Sequence, residues 1–126
     1  MKSNIVLIRG VQGSGKSTLA SLYKNQGYEH LEADMFHVVD GVYKWDPTRL
    51  GAAHLWCQDT AEKYMVEGKN IVVSNTFIKR KEMEPYLVHA RKHGYVVQEI
   101  ICRGRFQNVH GVPEDKVEQK LKAFEL

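Results

Sequence analysis

Residues Gly10 to Ser17 read Gly-Val-Gln-Gly-Ser-Gly-Lys-Ser and match the pattern G-x-x-x-x-G-K-[ST] at every fixed position, directly after the apolar run Ile5-Val-Leu-Ile8. The chemistry such a stretch can do is phosphate binding. A triphosphate needs several N–H donors converging on it with no side chains in the way, and glycines at 10, 13 and 15 let the backbone curl into that nest. Lys16 is then expected to reach the β- and γ-phosphates, and the Ser17 hydroxyl to ligate Mg2+. Gln12, Ser14 and Thr18 complete the set expected to touch ATP. A helix can run on from Lys16, and its N-terminal end adds roughly half a positive charge beneath the phosphates. The plainer alternative is a glycine-rich turn between a strand and a helix that happens to hold a lysine.

Phosphoryl transfer asks a protein for positioning and charge neutralisation, plus a carboxylate that orients or deprotonates the attacking hydroxyl. Asp34 is the candidate for that carboxylate. It stands at the end of the stretch Tyr28-Glu-His-Leu-Glu-Ala33, expected as a second strand beside the one that carries the phosphate loop. Its alternative role is to cap the short segment Met35 to Val39. Lys79-Arg80-Lys81 and Arg103-Gly-Arg105 follow the third and fourth expected strands, which in a parallel sheet puts both clusters at the edge of the phosphate loop. Arg103 and Arg105 are candidate γ-phosphate ligands, with a solvated loop as the alternative. His37, His54 and His110 could meet an acceptor, although His54 on a helix face reads better as a packing residue. Trp45, Trp56 and Phe106 could stack on a base if exposed, whereas aromatics default to the core.

These residues need a scaffold. Ile5 to Ile8 suits a parallel strand covered on both faces, and the helix after it carries Leu19 and Leu22 inward before stopping near Gly27. Asp40-Gly41 marks a turn, and Asp46-Pro47 opens a long helix with Leu50, Ala53, Cys57, Ala61 and Tyr64 on one face, ended by Gly68. Ile71-Val-Val73 is a third strand that delivers Ser74, Asn75 and Thr76 to the ligand edge. A helix from Glu84-Pro85 carries Met83, Leu87 and Ala90 on its apolar side and ends at Gly94, and Tyr95 to Cys102 is a fourth strand. Pro113 can open a last helix with the stripe Val117, Leu121, Phe124. Alternating strands and helices call for an α/β fold: a four-stranded parallel sheet with right-handed crossovers and helices on both faces.

With 126 residues, the chain is expected to form a single domain over 1–126. Its apolar runs are far shorter than the ~18 residues of a membrane span, and its start does not read as a signal peptide. Cys57 and Cys102 lack metal-ligand spacing and each fits an apolar stripe, so a reducing cytoplasm is the expected compartment. A net charge of +3 is too mild to mark a nucleic-acid binder, so the placement of the basic residues carries more than their number.

The chain also resembles the small P-loop kinases related to phage polynucleotide 5′-kinase. The resemblance rests on Gly10 to Thr18, the Ala33-Asp34-Met-Phe36 step, Asp46-Pro47 with Ala53-His54, Ser74-Asn-Thr76, and Asn108-Val-His-Gly-Val-Pro113. It implies a P-loop kinase fold with a four-stranded sheet, ATP held by Gly13 to Ser17, and Asp34 as the base toward a 5′-hydroxyl. The chain departs from the family in two places. Ser74 and Asn75 stand where the polynucleotide kinase has an acidic residue after the third strand, and the lid is compressed to about ten residues, Arg103 to Val112. The expected function is transfer of the ATP γ-phosphate to a hydroxyl, foremost a 5′-hydroxyl of a single-stranded nucleic acid or a nucleotide. The alternatives are a small-metabolite kinase and an ATP-binding switch or weak ATPase.

Overall fold

The computed structural model describes residues 3–104 and 114–126. In chain order the elements are β1 (Asn4–Arg9), α1 (Lys16–Asn25), β2 (Glu29–Leu31), β3 (Val38–Val39), β4 (Val42–Tyr43), α2 (Leu50–Val66), β5 (Ile71–Ser74), α3 (Glu84–His93), β6 (Val96–Ile101) and α4 (Glu114–Ala123). Four strands form one parallel sheet in the order β2-β5-β1-β6. The expected neighbours β2 and β1 are therefore separated, because β5 lies between them with Ser74 opposite Ile8 and Val73 opposite Leu31. Burial explains the order. Ile5-Val-Leu-Ile8 and Ile71-Val-Val73 carry no polar side chain and take the two central places, whereas Glu29-His-Leu31 and Val96-Val-Gln-Glu-Ile-Ile101 carry polar groups and take the edges.

The two faces of the sheet are covered by different helices. Ile5, Leu7, Leu31, Ile71 and Val73 pack with Cys57, Ala61 and Met65 of α2 and with Tyr86 and Ala90 of α3. Val6, Ile8 and Val72 pack with Ala20, Leu19 and Tyr23 of α1. Removing each of these aliphatic side chains from water contributes roughly 1.5–3 kcal/mol, most of it concentrated in the two central strands. The buried stripe of α2 is Ala53, Cys57, Ala61 and Met65, four residues apart, and the small side chains of the first three let the helix lie close to the sheet. Leu22 and Leu50, expected inward, are exposed instead.

Several boundaries shift by a residue or two. Asp46 caps a 3-10 turn, Pro47–Arg49, through its Oδ1 accepting from Thr48 N at 3.0 Å, and α2 follows from that turn. Asp40-Gly41, both at positive φ (51° and 78°), closes the β3–β4 hairpin, the backbone twist a two-residue hairpin turn needs. On α4 only Val117 is fully buried, while Leu121 is exposed and Phe124 lies just past the helix end. No helix among the described residues is long and apolar enough to cross a membrane.

Candidate nucleotide site

The loop between β1 and α1 is held from both neighbouring strands. Gly10 N donates to Thr76 O beyond β5 at 3.1 Å, Cys102 N beyond β6 donates to Arg9 O at 2.7 Å, and Gly104 N donates to Ser14 O at 3.1 Å. Gly10 has no room for a side chain, since a Cβ there would lie 2.3 Å from Ser14 Oγ and 2.8 Å from Cys102 O. Gly15 starts α1 at φ 97° and gives the helix no side-chain cap, nor is there an acidic residue in the first turn. The first-turn N–H groups of α1 are thus left without a side-chain partner, the arrangement that favours an anion. Gln12 Oε1 and Ser14 Oγ are buried without a hydrogen-bond partner among the described residues, a second mark of a site shaped for something else.

Lys16 Nζ donates to Val11 O at 3.1 Å, so the lysine rests on its own loop. Burial lowers its pKa, opposed first by the charge of Glu32, then by Cys102 and Asp34. Ser17 and Thr18 are exposed on the first turn of α1. Hard oxygen donors suit Mg2+, and the exposed Ser17 hydroxyl with the carboxylates Glu32 and Asp34 near Lys16 fits that ion. Three or more His, Cys, Asp or Glu side chains gathered as a metal cage do not occur among the described residues, so nucleotide phosphates would have to complete its coordination.

Asp34 sits in a 3-10 turn, Ala33–His37, and is three residues past the end of the strand. The cap of that turn is Glu32, so Asp34 does not cap Met35 to Val39. The phenol of Tyr43, on the hairpin, donates to Asp34 Oδ1 at 3.2 Å, and its pKa is raised by burial and by the Asp34 charge. Asn75 fixes the whole turn: its Oδ1 accepts from Ala33 N at 2.9 Å while its own N–H donates to Ile8 O at 3.3 Å. Ser74 and Asn75 are accordingly buried and structural, not displayed at an open ligand edge. Beside them a chain of contacts runs from His30 Nε2 to Ser74 Oγ at 2.8 Å and from Ser74 Oγ to Glu32 Oε2 at 3.0 Å.

Lys79, Arg80 and Lys81 are all exposed, and two of them are engaged within the chain. Arg80 grips both carboxylate oxygens of Glu99 at 3.1 Å and donates to Leu126 O at 3.0 Å, and Lys79 Nζ donates to Ala123 O at 3.3 Å. Arg103 is exposed and lines a cavity of about 290 Å³ with Gly10, Val11, Ser14, Cys102 and Phe124. Arg105, Phe106, His110 and most of the compressed lid lie outside the described residues. His37 is 3% exposed and packs edge-on to Phe36 and Tyr43. His54, expected to pack, is exposed instead. Trp56 packs on the core cluster and lies 6.2 Å from the Phe36 ring, whereas Trp45 is 55% exposed near the hairpin. Sequence reasoning did not single out Glu32, Tyr43 or Lys120. The charge of Lys120 on α4 lies within the field of Asp34 and Glu82, while burial lowers its pKa. Only the odd acidic residue in an edge strand hinted at the first, and nothing at the other two.

The geometry agrees with what the chain resembles. NEDD4-binding protein 2 of Homo sapiens is 33% identical over 133 residues, which cover 96% of this chain and 8% of that protein, so the chain spans a small part of its relative. The Pnkp1/Rnl/Hen1 RNA repair complex superposes with a TM-score of 0.76 at 13% identity, over 98% of this chain and 44% of that one. The APS kinase CysC of Mycobacterium tuberculosis, in complex with AMPPNP and APS, superposes with a TM-score of 0.57 at 16% identity, over 94% and 68%. At those identities the two structures show a shared fold, the P-loop kinase fold. The AAA domain family matches residues 5–123, and the chain belongs to that P-loop kinase-type family.

Proposed function

We propose that this protein is an ATP-dependent phosphotransferase that moves the γ-phosphate of ATP to a hydroxyl, foremost the 5′-hydroxyl of a nucleotide or of a nucleic-acid end. One observation carries the reading: a carboxylate, Asp34, and the loop lysine, Lys16, share one edge of the sheet, and an exposed aromatic hairpin opens beside the carboxylate. In this mechanism the loop amides and the first turn of α1 hold the phosphates, and Lys16 leaves Val11 O to neutralise charge that grows in the transition state. Mg2+ would be held by Ser17 and would supply charge neutralisation for the phosphates. Asp34 accepts the proton of the attacking hydroxyl, and Tyr43 orients it. A base or sugar can lie against Trp45 and Tyr43, since aromatic faces take either.

A small hydroxyl metabolite is the second reading, and the pairing of Arg80 with Glu99 favours it. That pairing removes a cation from any extended phosphate track, so the acceptor surface suits one terminal nucleotide or a small molecule better than a long polymer. The test is phosphate transfer from labelled ATP to a 5′-hydroxyl oligonucleotide, a panel of nucleosides and a panel of sugars. Label on the oligonucleotide or a nucleoside supports the leading reading, and label on sugars alone the second. Acceptor-independent ADP release without any labelled acceptor would leave an ATP-binding switch.

A further inference from the structure

β5 is the strand beside β1, and its carboxyl end faces the phosphate loop with Ser74 opposite Ile8. It offers no acidic side chain there, because residues 74 and 75 are serine and asparagine. The acidic group comes from the next strand instead. Glu32 follows β2 directly, and its Oε2 accepts the Ser74 hydroxyl at 3.0 Å.

The hydroxyl has one proton to give. With that proton on Glu32, the 2.8 Å contact between Ser74 Oγ and His30 Nε2 requires the ring to donate, which fixes the tautomer with its proton on Nε2. The result is a directed relay in which His30 holds Ser74 and Ser74 holds Glu32. Asn75 clamps the neighbouring peptide at Ala33 N, so the backbone that carries Glu32 is fixed as well. Glu32 is not closed into the core, since about a fifth of its side chain is exposed. Glu32 is also the carboxylate that acts most strongly on Lys16, ahead of Asp34.

We propose that Glu32 is the acidic group of the nucleotide site: a carboxylate delivered across the sheet from β2 to face the divalent cation that arrives with ATP on Ser17, with Ser74 and His30 as its positioning residues. The proposal rests on the phosphate-binding reading of residues 10–17. It divides the two carboxylates of the turn by role, with Glu32 toward the metal and Asp34 toward the acceptor. It also accounts for a site that lacks an acid on β5, since a serine at 74 is what lets an acid from β2 reach that point.

The experiment measures ATP binding by calorimetry without any acceptor, in Mg2+ and in EDTA. Wild type should bind more tightly with Mg2+. Glu32→Gln keeps the shape and can still accept from Ser74, so its affinity in EDTA should stay at the wild-type value while the gain from Mg2+ shrinks by about 10- to 100-fold, the usual effect of losing a group that supports a metal. Ser74→Ala, which leaves Glu32 in place but unheld, should shrink the gain by a smaller factor. Adding Ser74→Asp to Glu32→Gln returns a carboxylate to the same point from β5 and should restore the gain. The proposal is overturned if Glu32→Gln keeps the full Mg2+ gain, if it loses affinity equally in EDTA, or if the double variant stays as insensitive to Mg2+ as the single one. A wild type that binds no ATP under either condition would take down the phosphate-loop reading itself, a result distinct from any of these.

Discussion

In the proposed mechanism Lys16 serves a ligand and not the core: its ammonium meets only a loop carbonyl, and burial lowers its pKa. Lys16→Ala should therefore leave the melting temperature nearly unchanged and lower phosphotransfer by about 10² to 10³, the range for one charged donor aimed at a transition state. Turnover within about threefold of wild type would show that the lysine is idle. Asp34→Asn keeps the shape and the Tyr43 contact but cannot take a proton. It should leave ATP affinity intact and cut acceptor phosphorylation by at least ~10²-fold. Calorimetry that showed ATP binding collapse in this variant would make Asp34 a metal or structural residue.

At the scale of elements, the junction of β1 with the phosphate loop is pinned by Arg9, whose side chain is fully buried at the end of a strand. Its guanidinium donates to Phe77 O at 3.1 and 3.0 Å and to Glu99 at 2.7 Å, also meets Glu125 O, and lies 4.6 Å from the Phe124 ring centroid. Phe77 itself sits at φ 45°, a conformation an aromatic residue adopts only when its surroundings impose it. Arg9 thus ties β1 to the segment after β5, to β6 and to the residues after α4. Arg9→Met leaves the Phe77 carbonyl without donors while Glu99 keeps Arg80, and should cost roughly 1–3 kcal/mol, the range for a buried polar group left unsatisfied. A denaturant midpoint unchanged within error would show that the neighbours close over the gap.

For the whole molecule, acid is the condition that separates its supports. His30 has a pKa lowered below 6.5, so the folded state prefers the neutral ring; that contribution is complete above pH 6.5 and is lost as pH falls below it. Glu62 joins α2 to α3 by accepting from His93 at 3.0 Å and Lys92 at 3.2 Å, and those contacts hold its carboxyl at about 2 against an ordinary 4.5. Its contribution is complete above pH 4.5 and drains away between there and about pH 2. Melting temperatures should be level above pH 7, decline below about 6.5 and fall faster below 4.5, and Glu62→Gln should flatten the lower part of the curve. A curve for that variant superimposable on wild type below pH 4.5 would remove Glu62 from the account. Across the same surface, the pairing of Arg80 predicts that changing Lys79 and Lys81 together to alanine leaves the salt dependence of oligonucleotide binding within about half a log unit per log salt of wild type, less than the ~0.7 per phosphate that a lost contact would remove. A larger change would restore the basic rim as a nucleic-acid track.

The phosphate loop was legible in the sequence because its requirements are local. Glycines that must turn, a lysine and a serine at fixed offsets, and an apolar strand before a helix all lie within about fifteen residues of one another. The elements were legible for the same reason, since helical spacing and short apolar runs are properties of contiguous chain. What the tertiary structure decided was every relation between segments far apart in the chain. Strand order was one of these: the sequence reading set β2 beside β1, and only the burial of β5 on both faces put it between them. The basic cluster at 79–81 was another, because Arg80 is paired with Glu99 and Lys79 bonds a carbonyl at the other end of the chain, partners no local pattern reveals. Glu32 is the third. Just past its strand it is an unremarked polar residue of an edge, and in the proposed site it becomes the acid beside the phosphate loop only because the parallel register lays Leu31 against Val73, so that Glu32 meets Ser74, the last residue of β5.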